Sequence, residues 1–172
     1  MTAIPVITTE RLTLRAARFD DFEAYAGFFG SERSNYEDGP LGRVQAWKEF
    51  AAVTGQWSLR GYGAWSVEDR ASGAYIGEAG LFHPVHYPEA EIGWMVVSGA
   101  EGKGIAHEAA IAVRSFAYGT LGLKTLVSYI DHDNARSIRL AERLGAIRDD
   151  TAPLPEGERC LCYRHPGPEA LL

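Results

Sequence analysis

Cysteine is nearly absent: Cys160 and Cys162 are the only two in 172 residues. Two positions apart in an extended apolar run, they are poorly placed to pair. With no third thiol, a disulfide framework or a cysteine-based zinc site is excluded, and both read as reduced packing residues. Long apolar runs are missing too. Nothing approaches the roughly 18 unbroken apolar residues of a membrane span, and the opening MTAIPVITTERLTLR has no basic stretch followed by an apolar block. A cytoplasmic protein with no membrane partner is expected. Positive charge is scarce: 17 Lys+Arg against 23 Asp+Glu leave a formal net charge of −6. Nucleic-acid phosphates would be repelled by such a surface, so no nucleic-acid partner is expected, and a cationic small molecule or peptide suits it better.

What is present is ample core material. The chain is 46% hydrophobic, with 4 Trp, 8 Tyr and 7 Phe, too apolar for disorder and of a length that suits one domain over residues 1–172. Its 19 Gly and 8 Pro follow no period, which excludes collagen and low-complexity architectures.

The patterning alternates between the two regular periods. Leu12 and Leu14 in RLTLRAA mark a half-buried strand. Phe19, Phe22, Ala26 and Phe29 recur at helical spacing up to Gly30, with Asp20 and Asp21 where a helix N-terminus favours negative charge. After a polar loop over 31–42, Val44, Trp47, Phe50, Ala51 and Trp57 mark a second helical region, whose tryptophans read mostly as core. From Tyr62 the period becomes two, giving a hairpin through YGAWSV and AYIGEAGLF. A third strand, AEIGWMVV, places Ile92, Trp94 and Val96 on one face and Glu91, Gly93 and Met95 on the other. Gly93 inside it suggests a bulge or a close backbone approach. A helix over IAHEAAIAVRSFAYGTLG places Ile105, Ala109, Val113 and Phe116 on one face, with Gly119 and Gly122 ending the run. Strand TLVSYI and helix ARSIRLAERLG follow, the latter with Ile138, Ala141 and Leu144 inward and Gly145 just past its end. AIRDD and RCLCYRH supply a last strand or pair, and PGPEALL, with no partner signal, is expected to be loose. The order implies a mixed α/β (α+β) fold, with antiparallel middle strands and a helical crossover to a parallel strand.

The chemically informative passage runs from Glu91 to Ala110. Gly102 and Gly104 flank Lys103 at a helix opening, where backbone N–H groups can converge without Cβ obstruction at the positive end of the helix dipole. That is an anion site of pyrophosphate type, the plainer alternative being glycines that only permit a sharp turn. Gly104 stands where a Walker A loop needs Ser or Thr, and His107 where a dinucleotide fingerprint needs a third glycine, so neither motif applies.

EIGWMV, EGKGIAHEA and DNARSIRLAERLGA, in that order and spacing, resemble the acetyl-CoA-binding core of the GNAT superfamily of N-acetyltransferases, in particular the branch of ribosomal-protein N-terminal acetyltransferases. TERLTLRAARFDDFEAY and RCLCYRHP extend the likeness over nearly the whole chain. The resemblance implies a central sheet with splayed middle strands and acetyl-CoA as cosubstrate. Its pantetheine would bond backbone groups of Met95, Val96 and Val97, and its phosphates would bond Gly102, Lys103, Gly104, Ile105, Ala106 and His107. The family's loop pattern of Gln or Arg, two residues, Gly, one residue, Gly or Ala maps onto Glu101, Gly104 and Ala106. Glu101 departs from it, and a carboxylate pointing inward there would repel pyrophosphate.

Asn134 and Ser137 match the family's Asn and Ser at the start of the helix after TLVSYI. Asn134 is implied as a cofactor contact that also caps the helix, and Ser137 as the thiol's neighbour and proton donor, with Tyr129 and Tyr163 as rivals. Glu78 and Glu91, strand carboxylates near the expected cleft, are the candidate bases. His83 and His86 lack helical ligand spacing and a third ligand, so no metal is expected and they read as cleft wall. The implied activity is acetyl transfer to a primary amine, either a small molecule or a peptide N-terminus. A non-catalytic acyl-CoA-binding module is the alternative, and a homodimer is a candidate assembly.

Overall fold

A computed structural model describes residues 3–171. The elements run β1 (Ile7–Thr8), β2 (Leu12–Arg15), α1 (Phe22–Phe29), α2 (Arg43–Arg60), β3 (Ala64–Asp69), β4 (Tyr75–Phe82), β5 (Glu91–Val96), α3 (Ile105–Gly119), β6 (Val127–Asp131), α4 (Ala135–Arg143), β7 (Ile147–Arg148) and β8 (Cys160–Arg164). The strands form one sheet in the order β1-β2-β3-β4-β5-β6-β8-β7. All neighbours are antiparallel except β5 and β6, which are parallel and joined by the α3 crossover.

Period-two alternation divides the sheet into two faces, each burying its own helices. On one face Leu14, Trp65, Leu81 and Ile92 pack against Ile105, Ala109 and Val113 of α3, and Trp94, Val96 and Phe116 join this core as the sequence pattern requires. On the other, Met95 and Tyr75 meet Phe22, Tyr25, Phe28 and Phe50 of α1 and α2. Ala141 of α4 packs with Ile130 and Tyr163, and partly buried Ile138 sits against them.

Several expectations change. Asp21 does more than favour a helix N-terminus: it is 4% exposed and held by Arg15 through two bonds of 2.8 Å, by Ser66 Oγ and by the Arg18 amide. Arg15 also donates to Glu68 at 2.6 Å, so one buried ionic knot joins β2, β3 and the entry to α1. Trp47 is 44% exposed, set edge-on against Phe19 and Phe22, whereas Trp57 is anchored by its indole N–H on the Ala64 carbonyl at 2.7 Å. Gly93 is no bulge. It pairs with Gly80 in regular register, and the register shift lies between Val67 and Glu68 on β3, where Ile76 of β4 is the extra residue. What approaches Gly93 closely is a side chain, since a Cβ there would sit 3.0 Å from the Phe82 ring. The C-terminal stretch is tied down: Tyr118 Oη donates to the Pro166 carbonyl at 3.0 Å and Pro168–Leu171 form a 3-10 turn, while Leu172 lies outside the described residues.

Candidate active site

β5 and β6 pair at one position, Glu91 with Val127, where the Val127 amide donates to the Ala90 carbonyl at 3.3 Å. Beyond it the strands separate. In a parallel ladder the next bond would run from Tyr129 N–H to Ile92 C=O. Instead the Glu91 carboxylate accepts from Tyr129 N–H at 3.0 Å, and Ser128 Oγ donates to the Ile92 carbonyl at 2.6 Å.

The gap opens into a cleft of about 840 Å³ that reaches Tyr25 and Glu49 under the helical face and His83 and His86 in the β4–β5 connection. Glu78, Glu91, Met95, Asn134 and Ser137 all line it, as do Tyr129 and Trp94; Tyr163, Val96, Val97 and the loop residues from Gly102 to His107 do not. Tyr163 is a packing residue, 6% exposed. His83 Nδ1 lies 3.0 Å from Tyr62 Oη. Among the described residues no group of three or more His, Cys, Asp or Glu has the geometry to hold a metal ion, and no helix is long and apolar enough to cross a membrane.

Backbone polarity narrows the expected pantetheine contacts. The Val97 amide donates to Ile76 O at 3.0 Å, and Met95 O points at Gly77, whose Cβ position it would approach to 2.3 Å. Both are therefore turned toward β4. Because bonding direction alternates along an antiparallel strand, Val96 and Trp94 direct their N–H and C=O groups into the gap. The sequence does not single out the Trp94 backbone, because ladder direction depends on the partner strand.

At the C-terminal end of β5 the loop turns into α3 through two glycines and leaves a row of backbone N–H groups free. Gly102 and Gly104 have φ of +70° and +76°, which L side chains adopt at a cost. The N–H groups of Gly102 and of Gly104 through His107 have no hydrogen-bond partner among the described residues. Arg11, just before β2, clamps the loop: Nη1 donates to the Lys103 carbonyl at 2.8 Å and Nε to Glu108 at 2.7 Å. Glu101 does not face these amides as a bare charge. Its Oε1 is shared by Arg33 at 2.8 Å and Arg136 at 2.5 Å. Neither Arg11 nor Arg33 is signalled by the loop motif, since both come from distant segments.

Across the gap Asn134 caps α4, its side chain accepting from Ser137 N at 3.2 Å. Ser137 Oγ has no partner among the described residues and so is free to donate into the cleft. Tyr129 Oη makes a long 3.4 Å bond to Pro153 O, and burial raises its pKa above the ordinary phenol range.

Acidity dominates the cleft. Burial pushes Glu91 up to about 8, opposed by the Tyr129 amide and helped by the charges of Glu37 and Glu158. Glu78 rises to about 8 from burial first, then from Glu37 and Asp21. Glu37 stands at the solvent-exposed rim. The protein around it, and then Asp38, push it up to about 7, though water at the rim screens it more than the two strand carboxylates.

The comparisons agree with this architecture. Residues 11–147 match the family described as acetyltransferase (GNAT) domain. An acetyltransferase crystal structure from Agrobacterium tumefaciens str. C58 is 40% identical, with a TM-score of 0.90 and 96% of each chain covered. The uncharacterised Bacillus subtilis (strain 168) protein YkkB is 28% identical, covering 92% of this chain and 98% of its own. YoaA, an uncharacterised N-acetyltransferase of the same strain, is also 28% identical, with 82% of each covered. The splayed parallel pair, the glycine turn and the family match over residues 11–147 place this chain in the GNAT acetyltransferase family, whose members take an acetyl group from acetyl-CoA.

Proposed function

We propose that the protein transfers an acetyl group from acetyl-CoA to a primary amine, with no covalent enzyme intermediate. The observation that carries this reading is the single gap between β5 and β6, which has a carboxylate on one lip, Glu91, and a free hydroxyl on the other, Ser137. Phosphates would rest on the amides of Gly102 and of Gly104 through His107, beside Lys103, as negative charge does at a helix N-terminus. The pantetheine chain would lie along Val96 and Trp94 and be flanked by Asn134.

In the transfer, the amine lone pair attacks the thioester carbonyl carbon and the C–S bond breaks. The amine loses a proton to Glu91, and Ser137 Oγ–H hydrogen-bonds the departing thiolate. A strand N–H in the gap, that of Val96, meets the oxygen as charge develops on it. A base with a pKa near the working pH is well matched to taking that proton. The acceptor is an amine that is cationic in solution and sheds that proton to water before it attacks, either a small molecule or a peptide N-terminus, because Glu37, Glu78 and Glu91 line one cleft. Arg60 and Arg159 are the arginines on its walls.

Acetyl-CoA titration followed by free-thiol release across a panel of amines tests this reading. Saturable binding with amine-dependent thiol release is expected. Binding with no release on any amine would instead show a non-catalytic acyl-CoA-binding module.

A further inference from the structure

The gap between β5 and β6 is one hydrogen bond away from closing further. Tyr129 N–H and Ile92 C=O are the two groups that would extend the parallel ladder, and a side chain holds each of them: Glu91 takes the amide and Ser128 Oγ–H takes the carbonyl. Ser128 is 2% exposed, and its oxygen lies 3.0 Å from His165 Nε2. His165, 3% exposed, has its Nδ1 3.5 Å from Arg114 Nη1. Arg114 comes from α3, is 8% exposed and donates to the Leu144 carbonyl at 2.6 Å.

The donors in this chain can point only one way. A guanidinium has no acceptor, so the His165 nitrogen facing Arg114 carries the lone pair and Nε2 carries the hydrogen. Nε2–H therefore donates to Ser128 Oγ, and the serine hydrogen is left for the Ile92 carbonyl. The neutral imidazole turns Ser128 into a donor committed to Ile92. A buried carbonyl so satisfied has little to gain from a second partner, whereas a bare one carries a desolvation penalty that zipping of the strands would remove.

Resting on the acetyltransferase reading above, we propose that Ser128, oriented by His165 and Arg114, is a positioning residue that keeps the cofactor gap open by occupying the carbonyl onto which β6 would otherwise zip. It touches neither the thioester nor the amine and acts through the separation of β5 from β6.

The test compares wild type, Ser128→Ala, Ser128→Thr and His165→Phe. It uses calorimetric titration with acetyl-CoA and amide hydrogen exchange at Tyr129, each on protein shown by circular dichroism to be folded. Ser128→Ala is expected to weaken acetyl-CoA at least ~10-fold and to slow exchange at Tyr129, because that amide joins the ladder. Ser128→Thr restores both. His165→Phe shifts both in the same direction by about threefold and serves if Ser128→Ala does not fold. Weaker binding with faster Tyr129 exchange would mean general loosening and would overturn the proposal, as would unchanged affinity and exchange. Failure of the wild type to bind acetyl-CoA would instead refute the parent reading.

Discussion

Arg136 meets Glu101 at 2.5 Å across the mouth of the gap, joining the loop that leaves β5 to the first turn of α4 that follows β6. The carboxylate that departs from the family's loop pattern is thus neutralised by two arginines, the second being Arg33 at 2.8 Å. In Glu101→Gln both guanidiniums lose their anion and become available to phosphate. Partly exposed pairs such as these are worth up to about 1 kcal/mol. Acetyl-CoA is therefore expected to bind about threefold or more tightly, with a steeper loss of affinity as salt is raised. Weaker binding by the variant would mean that Glu101 shapes the loop instead.

Gly104 has a φ of +76° and opens α3, so a β-branched side chain there is strained and stands over the free amides. Gly104→Val should weaken acetyl-CoA at least ~10-fold, or about 1.4 kcal/mol. Unchanged affinity in a folded variant would refute the phosphate assignment.

Ser137→Ala should lower kcat more than it raises KM for acetyl-CoA, because a bond to the departing thiolate strengthens only in the transition state. An unperturbed thiol has a pKa of about 8.5 and leaves partly unaided, so the loss is expected at or below the ~10²-fold lower end of proton-transfer effects. Tyr129→Phe run beside it should leave kcat within about twofold by the same comparison. The reverse ranking would make Tyr129 the donor.

Glu91 and Glu78, both raised to about 8, are protonated and unable to accept a proton at lower pH. Activity should therefore rise with pH through about 8, and Glu91→Gln should remove that inflection with a loss of ~10²-fold or more in kcat. Retention of the inflection in Glu91→Gln and its loss in Glu78→Gln would transfer the role of base. The linkage has the opposite sign for stability. Both carboxyls bind protons more tightly folded than unfolded, so their contribution is full at low pH and is lost between the unfolded value of 4.5 and about 8.

Burial, then the charge of Arg114, lowers His165 from 6.5 to about 4. Within that interval the unfolded chain takes up the proton and the folded one does not, so stability falls as pH drops from 6.5 toward 4. The term is on the order of 3 kcal/mol for a shift of that size. Urea midpoints at pH 7 and pH 4.5 should therefore differ less in His165→Phe than in wild type. An equal difference in the two proteins would show that His165 is not the group titrating.

Most elements were legible because they announce themselves over a short window, whereas the two-residue β1 is too short to show a period. Alternation assigned Ile92, Trp94 and Val96 to one face of β5 and Glu91, Gly93 and Met95 to the other, and the register with β4 follows that division. The Gly102–Gly104 turn and the Asn134 cap sit where their local chemistry places them. Other features were not legible. Trp47 reads as core by spacing, yet α2 turns it to a half-exposed edge beside Phe19. Asp21 reads as a helix-terminus charge, yet its partners Arg15 and Ser66 lie on two other strands.

The sequence by itself determined the order of strands and helices apart from the two-residue β1, the sidedness of β5 and the glycine turn at the start of α3, since these follow from periodicity, glycine conformations and capping within a few residues. Only the tertiary structure decided which β5 backbone groups face the gap, that Glu91 and Ser128 hold the two groups that would close it, and that Arg33 and Arg136 neutralise Glu101. Each of these depends on which strand or helix is the neighbour. Such pairings join residues 35 to 68 positions apart, where local propensity carries no information and packing of the whole sheet sets the distance.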